Sequence, residues 1–582
     1  MNMKLVYDMN TPITDRPSYM TGIMGITLAA VLLGVGLWRQ GLFYDKSMLS
    51  FALILIPTAI VLLVFQFIRD RLCSFASLLP LLFPWAAASV YGIHIWLEPA
   101  SVHGSWMQLI RWSTYGAWVI VLMFSIRRLQ ETGVVLWRAV MTGAGWFISL
   151  GSMMMLYGWI PYAGGVMESA DAELSALGFR LAGWLQYPNV LGALAGAFAL
   201  YAADRLARAT SRSAWAAAGA SVLLHVCVLG LTESRGAWIA VMLVAAARLV
   251  TCGWSGVRAY GWTLWFGAWA ALAAAATARG WLQGAGWVWV PLLAAIAASL
   301  WLPQVLQRKR RAAWIAMLLA VVLCAAWLLP DQASSRISGG HYETVSARTL
   351  FYKDALWLWQ EHPLLGSGGD AWRQQFASMQ SEPYVGKEVH SSIGDLLLDI
   401  GLVGALPVGL LALYALLRTW RRDSGAGMAA AVLIGHSVVD FDYAYGLMVL
   451  ITLSWLVFGW LPHQSTSSIR VNRFGRLGTA VLALMLLIPL AGGLRYMSAY
   501  ALLEAGEPAA ALRFAPWDAE RRISAARQQP PQEALALLQE GERYERSGKA
   551  LHRELALAAE RAGLPREAAA YWQAATADDP LD

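Results

Sequence analysis

The chain has 582 residues, of which 58% are hydrophobic and only 14% are charged. About a quarter of the residues of an ordinary soluble domain are charged, so this composition excludes a protein that is soluble throughout. The formal net charge is +7, but the basic residues lie between apolar runs rather than along one polar face. We therefore predict no nucleic-acid binding.

Apolar runs near the length that crosses a bilayer recur from Met20 to Leu494. They are too long for barrel strands, and helices satisfy their own backbone hydrogen bonds in lipid. The fold class predicted is all-α, a polytopic transmembrane helical bundle of about 14 or 15 spans in the lipid bilayer. The first run, Met20–Trp38, is predicted to remain as a span because no short signal-peptide pattern accompanies it.

Basic clusters between the apolar runs predict the orientation, since Lys and Arg in short loops favour the cytoplasmic side. One alternation, with the N-terminus inside, places every cluster on that side: Arg69/Arg71, Arg127/Arg128, Arg205/Arg208/Arg212, Arg248/Arg258, Arg308 to Arg311, Arg418/Arg421/Arg422 and Arg470/Arg473/Arg476. The same path places residues 161–180, 233–236, 331–390 and the region after Leu494 outside. We therefore expect a multi-pass protein of the cell (inner) membrane whose active face and C-terminal tail are extracytoplasmic.

The predicted domain organisation has three parts: a transmembrane domain at 1–494, a long extracytoplasmic loop within it at 331–390, and a soluble helical tail at 495–582. The tail is polar and Ala-rich, and two of its pieces are similar to second helices of tetratricopeptide repeats. The period of about 34 residues is not kept, so we predict a degenerate repeat-like tail. The four cysteines lack metal-ligand spacing, which predicts neither a disulfide framework nor a zinc site.

The turn TESRGAW at 232–238 joins two apolar helices and places Glu233 and Arg235 at the membrane boundary. Ionisable groups at membrane depth typically face a bundle interior or an aqueous cavity. A simple ion pair at a helix end is an equal alternative. Arg180 and Arg348 also lie on the outer side, against the orientation trend, so each is expected to have a partner.

His390 comes directly before a long predicted span, at its outer end. A histidine titrates near working pH and can take a proton from a hydroxyl group, although a solvated histidine without a role is the alternative. The stretch 436–442 returns to the same face with Asp440 and Asp442, which either line a cavity with His390 or serve a helix turn. The glycines at 366–369 lack the Walker spacing, so they predict a turn rather than a phosphate-binding loop.

Five motifs occur in order along the predicted topology: FRLAGWLQYPNVL at 179–191, SRGAW at 234–238, Arg348 with HPLLGSGGDAW at 362–372, HSSIGDLLLDIGLVG at 390–404, and HSVVDFD at 436–442. The resemblance that they carry extends over about Phe179–Trp460, roughly half the chain. In this order the chain resembles the superfamily of O-antigen ligases, O-antigen polymerases and bacterial protein O-oligosaccharyltransferases. It departs from that pattern at Ser391, where many relatives have Asn, and at Asp399, where they have Glu.

The resemblance implies a metal-independent glycosyltransferase that needs no cofactor and uses a polyprenyl-diphosphate-linked oligosaccharide donor. Arginine forks would neutralise the departing diphosphate, and His390 would activate the hydroxyl group of the acceptor. The predicted site residues fall into two groups: catalytic, His390, Arg235 and Arg348; and substrate-binding, Arg180, Glu233 and Asp440. No metal site is predicted.

The motifs leave the acceptor open. It is a second lipid-linked repeat unit in a polymerase, a core sugar in a ligase, or a protein hydroxyl group in an oligosaccharyltransferase. We favour the polymerase, because its donor and acceptor can both be lipid-linked repeats. Two other classes remain: a polysaccharide or lipid transporter, although no inverted halves are evident, and an envelope scaffold whose tail recruits a protein partner.

Overall fold

The computed structural model describes residues 16–69, 83–169, 174–306, 311–328, 343–384, 386–461, 473–545 and 548–581. Several features named above lie outside these ranges: Arg71, Arg308 to Arg310, Arg470 and residues 331–342 of the expected outer loop. Within them the chain is overwhelmingly helical. The predicted helical fold class is therefore confirmed.

Among the described residues, ten helices precede the expected outer loop: α1 (Arg16–Trp38), α2 (Asp45–Arg69), α3 (Phe83–His94), α4 (Val102–Leu156), α5 (Pro188–Ala207), α6 (Arg212–Leu231), α7 (Arg235–Ala259), α8 (Gly261–Leu282), α9 (Val290–Leu306) and α10 (Arg311–Leu328). The described part of the loop contains α11 (Glu343–Glu361) and α12 (Ala371–Met379), and five more described helices lead to the tail: α13 (Ser392–Arg422), α14 (Ser424–His436), α15 (Gly446–Leu456), α16 (Arg473–Met485) and α17 (Leu487–Glu504).

By length and composition, 8 helices among the described residues can cross a membrane, fewer than the 14 or 15 spans expected. One reason is that α4, with 55 residues, is counted as one helix. Its backbone breaks at Gln130, where the φ of 51° is not helical, so α4 consists of two straight helical pieces. Another is that α14 and α15 are apolar but have only 13 and 11 residues. The multi-pass character stands, whereas the predicted number of spans is not confirmed.

The core of the bundle lies between α4, α5 and the α14–α15 pair. Trp118 is fully buried there, and its indole N–H lies 3.1 Å from both the backbone oxygen of Leu450 and the hydroxyl oxygen of Ser454. A buried indole needs such an acceptor, because an unpaired polar group in an apolar interior is costly. This contact fixes α15 against α4 and so positions the loop that precedes α15.

One short sheet departs from the expected all-helical fold. Strand β1 (Val166–Glu168) pairs antiparallel with β2 (Phe179–Leu181), and Met167 faces Arg180 in the register. The pairing folds the loop between α4 and α5 back on itself. Arg180 is thereby held in an extended segment directly before the start of α5.

The described part of the segment between α10 and α13 contains α11, α12 and, between them, the turn predicted from the glycines at 366–369. Gly366 has a positive φ of 75°, and a Cβ atom there would lie 2.5 Å from the backbone oxygen of Asp399. Only glycine allows this approach, because a side chain would collide with the α13 backbone. The turn therefore presses α11 and α12 onto the first half of α13.

The last long helix, α17, continues to Glu504 and so passes the predicted boundary at Leu494. The tail then folds into short helices: Pro508–Ala511, Ala519–Ala526, Pro531–Gln539, Lys549–Arg561 and Pro565–Asp578. The last four of these helices pack around a separate small hydrophobic core, whereas Ala511 in the first belongs to the core of the bundle. The repeat-like character of this tail stays a prediction.

The tail packs against the start of α4. The rings of Trp106 and Trp517 stack with centroids 5.5 Å apart, and His103 Nδ1 lies 3.3 Å from Asp518 Oδ2. Further along α4, Arg111 donates a hydrogen bond of 3.0 Å to the backbone oxygen of Ala444, in the loop after α14. The tail therefore lies at the same end of the bundle as that loop.

Candidate active site

Asp440 lies at the centre of a hydrogen-bonded cluster at this end of the bundle. Its side chain is fully buried in the loop between α14 and α15. Four side chains surround its carboxylate oxygens, at 2.7 Å to Asn189 Nδ2, 3.1 Å to Arg348 Nη2, 3.1 Å to Tyr187 Oη and 3.4 Å to His390 Nδ1. We call these five residues, together with Arg180, the Asp440 cluster.

The Asp440 cluster keeps its central carboxyl group ionised. Burial raises the pKa of Asp440, but the hydrogen bond from His390 and the positive charge of Arg348 outweigh that effect and lower the pKa to about 2. A buried carboxylate remains charged only when it is paired in this way. Asp440 is therefore an anion over the whole physiological pH range.

His390 is held in an unusual backbone conformation. Its φ is 54°, a left-handed value that residues other than glycine seldom adopt. Tyr352 Oη donates a 2.9 Å hydrogen bond to its backbone oxygen, and the imidazole packs between the rings of Phe351 and Phe441. With Nδ1 directed at Asp440, the ring is oriented, and 26% of the side chain remains exposed.

Arg348 reaches Asp440 from α11. One of its N–H groups contacts the carboxylate, and its side chain is 28% exposed. An arginine has five N–H donors, and no second hydrogen bond from this guanidinium is found within the described residues. Arg348 is therefore anchored on one side and presents further donors on the other.

Arg180 is joined to the cluster through Asn189. Its Nη2 donates to Asn189 Oδ1 at 2.6 Å, and its Nε donates to the backbone oxygen of Thr232 at 3.0 Å. The amide of Asn189 thus bridges a guanidinium and the carboxylate of Asp440. Two motifs that are distant in sequence, at 179–191 and 232–238, meet at this point.

Glu233 lies beside the loop that leads into β2, and its substrate-binding role stays a prediction. Its carboxylate accepts hydrogen bonds from Ser175 Oγ at 2.9 Å and from the backbone N–H groups of Ala176 and Leu177 at 2.8 Å each. These donors hold the residues that lead into β2. The carboxylate oxygens of Glu233 thus face this loop.

Arg235 is the first residue of α7, and it is exposed. The next residue packs closely against α14, because a Cβ atom on Gly236 would lie 3.3 Å from His436 Nε2. His436 Nδ1 in turn lies 2.7 Å from Asp442 Oδ2, and both side chains are buried. Asp442 is therefore paired with His436 at the end of α14, whereas Asp440 contacts His390. Of the two roles left open by the sequence, the place beside His390 fits Asp440 and the helix-turn role fits Asp442.

The sequence reasoning missed Tyr187, Asn189 and Ser392. Tyr187 and Asn189 lie inside the motif at 179–191. Pro188, between them, is the first residue of α5, so both side chains lie at a helix start. A proline that begins a helix was the sequence signal for these two residues. Ser392 accepts a hydrogen bond from the backbone N–H of Tyr443 and donates one of 3.1 Å to the backbone oxygen of Asp440. It ties α13 to the loop that holds Asp440.

A cavity of about 90 Å³ lies beside the Asp440 cluster, with Ser392 on the wall between them. Its polar lining includes Arg111, Asp370, Arg373, Asp395 and Asp399. Carboxylates accept hydrogen bonds and guanidinium groups donate them. The cavity therefore offers both kinds of partner to a hydroxyl-bearing molecule.

Fold and site together define a multi-pass helical membrane protein with an imidazole, a buried carboxylate and arginines gathered at one end of its bundle. Residues 282–409 match the family described as O-antigen ligase, and this confirms the resemblance to the O-antigen ligase superfamily. The family match indicates a function of the O-antigen ligase or polymerase type and hence a glycosyltransferase-like enzyme. No curated protein matches the chain. The matched region includes Arg348 and His390 but neither Arg180 nor Asp440.

Proposed function

We propose that this protein transfers or polymerises glycan from a polyprenyl-diphosphate-linked donor to an acceptor hydroxyl group on the outer side of the membrane. The observation that supports this most is the contact of His390 with the buried carboxylate of Asp440, which in turn contacts Arg348. A candidate proton acceptor and a candidate anion-binding group are thus joined by one carboxylate. General acid–base catalysis requires such an oriented imidazole.

The donor's diphosphate is assigned to the arginines. Arg348 contacts the buried carboxylate of Asp440, and Arg180 is joined to it through Asn189. Arg235 begins the helix that follows Thr232, whose backbone oxygen accepts a hydrogen bond from Arg180. Guanidinium forks bind phosphate oxygens bidentately. As the bond between the anomeric carbon and the diphosphate breaks, the negative charge that grows on the leaving oxygen is stabilised by these groups.

The acceptor is activated by His390. The Nδ1–H group of His390 donates a hydrogen bond to Asp440, so the Nε2 atom has a free lone pair. Nε2 takes the proton of the acceptor hydroxyl group. The acceptor oxygen forms the new bond to the anomeric carbon, and the diphosphate leaves with the electron pair of the old bond. A single displacement of this kind inverts the configuration at the anomeric carbon.

Asp440 and Glu233 are assigned positioning roles rather than contact with substrate. Asp440 is fully buried and sets the orientation of His390 and Arg348. Glu233 fixes the loop that carries Arg180, because it accepts two backbone N–H groups of that loop. The predicted substrate-binding role is kept for Arg180.

The cavity behind Ser392 favours a sugar acceptor. Its carboxylates and guanidinium groups can pair with several hydroxyl groups at once, as a glycan offers and a single protein hydroxyl does not. We therefore propose a polymerase that extends one lipid-linked repeat with another. A ligase that uses a core sugar is the alternative within the same chemistry.

The test is an incubation of the purified protein with a lipid-linked oligosaccharide, followed by sizing of the products. A ladder of lengths supports polymerisation, and a single added unit on a separate acceptor supports ligation. Unchanged donor under conditions where it binds would contradict a glycosyltransferase and favour a transporter or scaffold. The same incubation with a chelator tests metal independence, for which undiminished turnover is expected.

Arg348→Lys is the matched variant for this assay, because it keeps the charge but loses the planar fork. We expect turnover to fall by at least about tenfold, equivalent to about 1.4 kcal/mol of transition-state stabilisation. Arg422→Lys is the control, since Arg422 ends α13, far along the helix from Ser392. Equal turnover in both variants would remove Arg348 from the proposed anion site.

A further inference from the structure

A second cavity, of about 440 Å³, lies between α4, α5 and α6. Its lining includes the apolar residues Trp146, Phe198, Ala202 and Ala217 and two arginines, Arg205 and Arg208. This groove has no part in the proposed chemistry. It is nevertheless within the usual size range of ligand pockets.

The arginines that line the groove lie at the end of the bundle opposite the Asp440 cluster. Helix α5 spans 20 residues, which corresponds to about 30 Å, the thickness of the hydrocarbon core of a bilayer. Asn189 at the beginning of α5 contacts Asp440. Arg205 near its end therefore lies close to the other membrane surface.

The two arginines that line the groove differ in whether a carboxylate neutralises them. Arg208 is paired with Asp204, with Nε and Oδ2 2.8 Å apart. Arg205 is exposed, and no hydrogen bond or ion pair to it is found within the described part of the chain. One positive charge is thus left over beside an apolar channel.

Tyr201 supplies an independent indication of a ligand. It lines the groove one helical turn before Arg205 and is only 4% exposed. Its hydroxyl oxygen is buried without a hydrogen-bond partner among the described residues. A buried hydroxyl group is normally satisfied, so a missing partner calls for an explanation.

We infer that this groove binds one anionic glycerophospholipid from the leaflet opposite the proposed active site. The phosphate pairs with Arg205, the hydroxyl group of Tyr201 donates to an oxygen of the lipid, and an acyl chain lies along the apolar walls. Basic pockets between membrane helices recognise anionic headgroups in this way. A soluble phosphate would satisfy Arg205 but would leave the channel beside Phe198 and Ala217 empty.

The experiment is native mass spectrometry of the full-length, delipidated protein with added phosphatidylglycerol or with phosphatidylcholine of the same acyl chains. One phosphatidylglycerol should be retained in preference to phosphatidylcholine. Arg205→Gln should weaken this binding by about tenfold, the effect of losing one charge-assisted hydrogen bond. Arg422→Gln, which removes an exposed arginine at the same membrane surface but outside the groove, should leave binding unchanged.

Two further variants separate the parts of the site. Tyr201→Phe removes only the hydroxyl group and should weaken retention, whereas Ala217→Trp, at an exposed helix position, should fill the groove and abolish it. Equal retention by the protein and by Arg205→Gln and Ala217→Trp would overturn the inference. So would equal binding of both lipids, or displacement of phosphatidylglycerol by an equal concentration of glycerol phosphate. None of these readouts depends on glycan transfer.

Discussion

His390 Nδ1 lies 3.4 Å from Asp440 Oδ1 across 50 residues of sequence. The contact joins the end of the outer loop to the loop after α14, and a buried carboxylate thereby sets the direction of a partly exposed imidazole. Asp440 also contacts Arg348 and Asn189. The proposed roles of His390 and Arg348 therefore both depend on this one carboxylate.

Asp440→Asn should impair turnover and also change the pH dependence of stability. Because the pKa of Asp440 is lowered from 3.8 to about 2 in the folded protein, ionised Asp440 stabilises the fold above pH 3.8, and this stabilisation is lost as the pH falls towards 2. The shift corresponds to about 2 kcal/mol. Thermal unfolding of both proteins in detergent should show a larger difference at about pH 7 than at about pH 3.

A pH-independent difference between these two proteins would contradict the ionised, paired state of Asp440. The turnover of Asp440→Asn should also not be rescued at any pH, because the amide cannot hold the same His390 tautomer. Recovery of normal turnover at high pH would assign the loss to another group.

Asn189→Asp tests the bridge between Arg180 and Asp440. The new carboxylate keeps the acceptor for Arg180 but faces Asp440, whose oxygen lies 2.7 Å from the present amide nitrogen. Two like charges at that distance repel, so Asn189→Asp should lower turnover more than Asn189→Ala does. The turnover of the two variants is measured at equal amounts of folded protein. A larger loss of turnover in Asn189→Ala than in Asn189→Asp would show that the amide donor is dispensable.

The sequence predicted the helical membrane fold because apolar length and charge alternation are local properties. It also predicted Arg180, Arg348, His390 and Asp440 individually, since each is an ionisable residue placed beside an apolar run. Their mutual contacts could not be predicted, because a bond between residues 92 positions apart, such as Arg348 with Asp440, depends on how the helices pack. Asn189 was missed for a related reason: a neutral amide gives no charge signal until its two partners are in place.

The contacts of Glu233 could not be predicted either. Its carboxylate accepts hydrogen bonds from Ser175, Ala176 and Leu177, and its substrate-binding role stays a prediction. Two of these donors are backbone N–H groups, which are present at nearly every residue and give no sequence signal. Helix α17 runs through the predicted boundary at Leu494 until Gly506 ends it, and the division of the chain into domains stays a prediction.

The docking of the tail should depend on Glu545. This residue is 8% exposed and forms a backbone bridge to Ser101, and burial raises its pKa from 4.5 to about 7. A raised pKa means that the docked state favours the protonated form, so docking is most stable below pH 4.5 and is weakened as the pH rises through about 7. Hydrogen exchange of the tail amides should therefore be faster, after correction for intrinsic rates, at about pH 8 than at about pH 6.

Glu545→Gln is the control for this behaviour, because it keeps the shape without the titrating group. It should abolish the difference between the two pH values, mainly by slowing exchange at the higher one. The same pH dependence in Glu545→Gln would place the titrating group elsewhere in the interface.

The most direct test of the central claim is the replacement of His390 by Ala, with donor binding and glycan transfer measured separately on a lipid-linked oligosaccharide. If His390 activates the acceptor, transfer should fall by about 10²-fold or more, while donor affinity stays close to that of the unchanged protein. Undiminished transfer by His390→Ala would contradict the proposed role, and a loss of donor affinity equal to the loss of transfer would make His390 a ligand of the diphosphate instead.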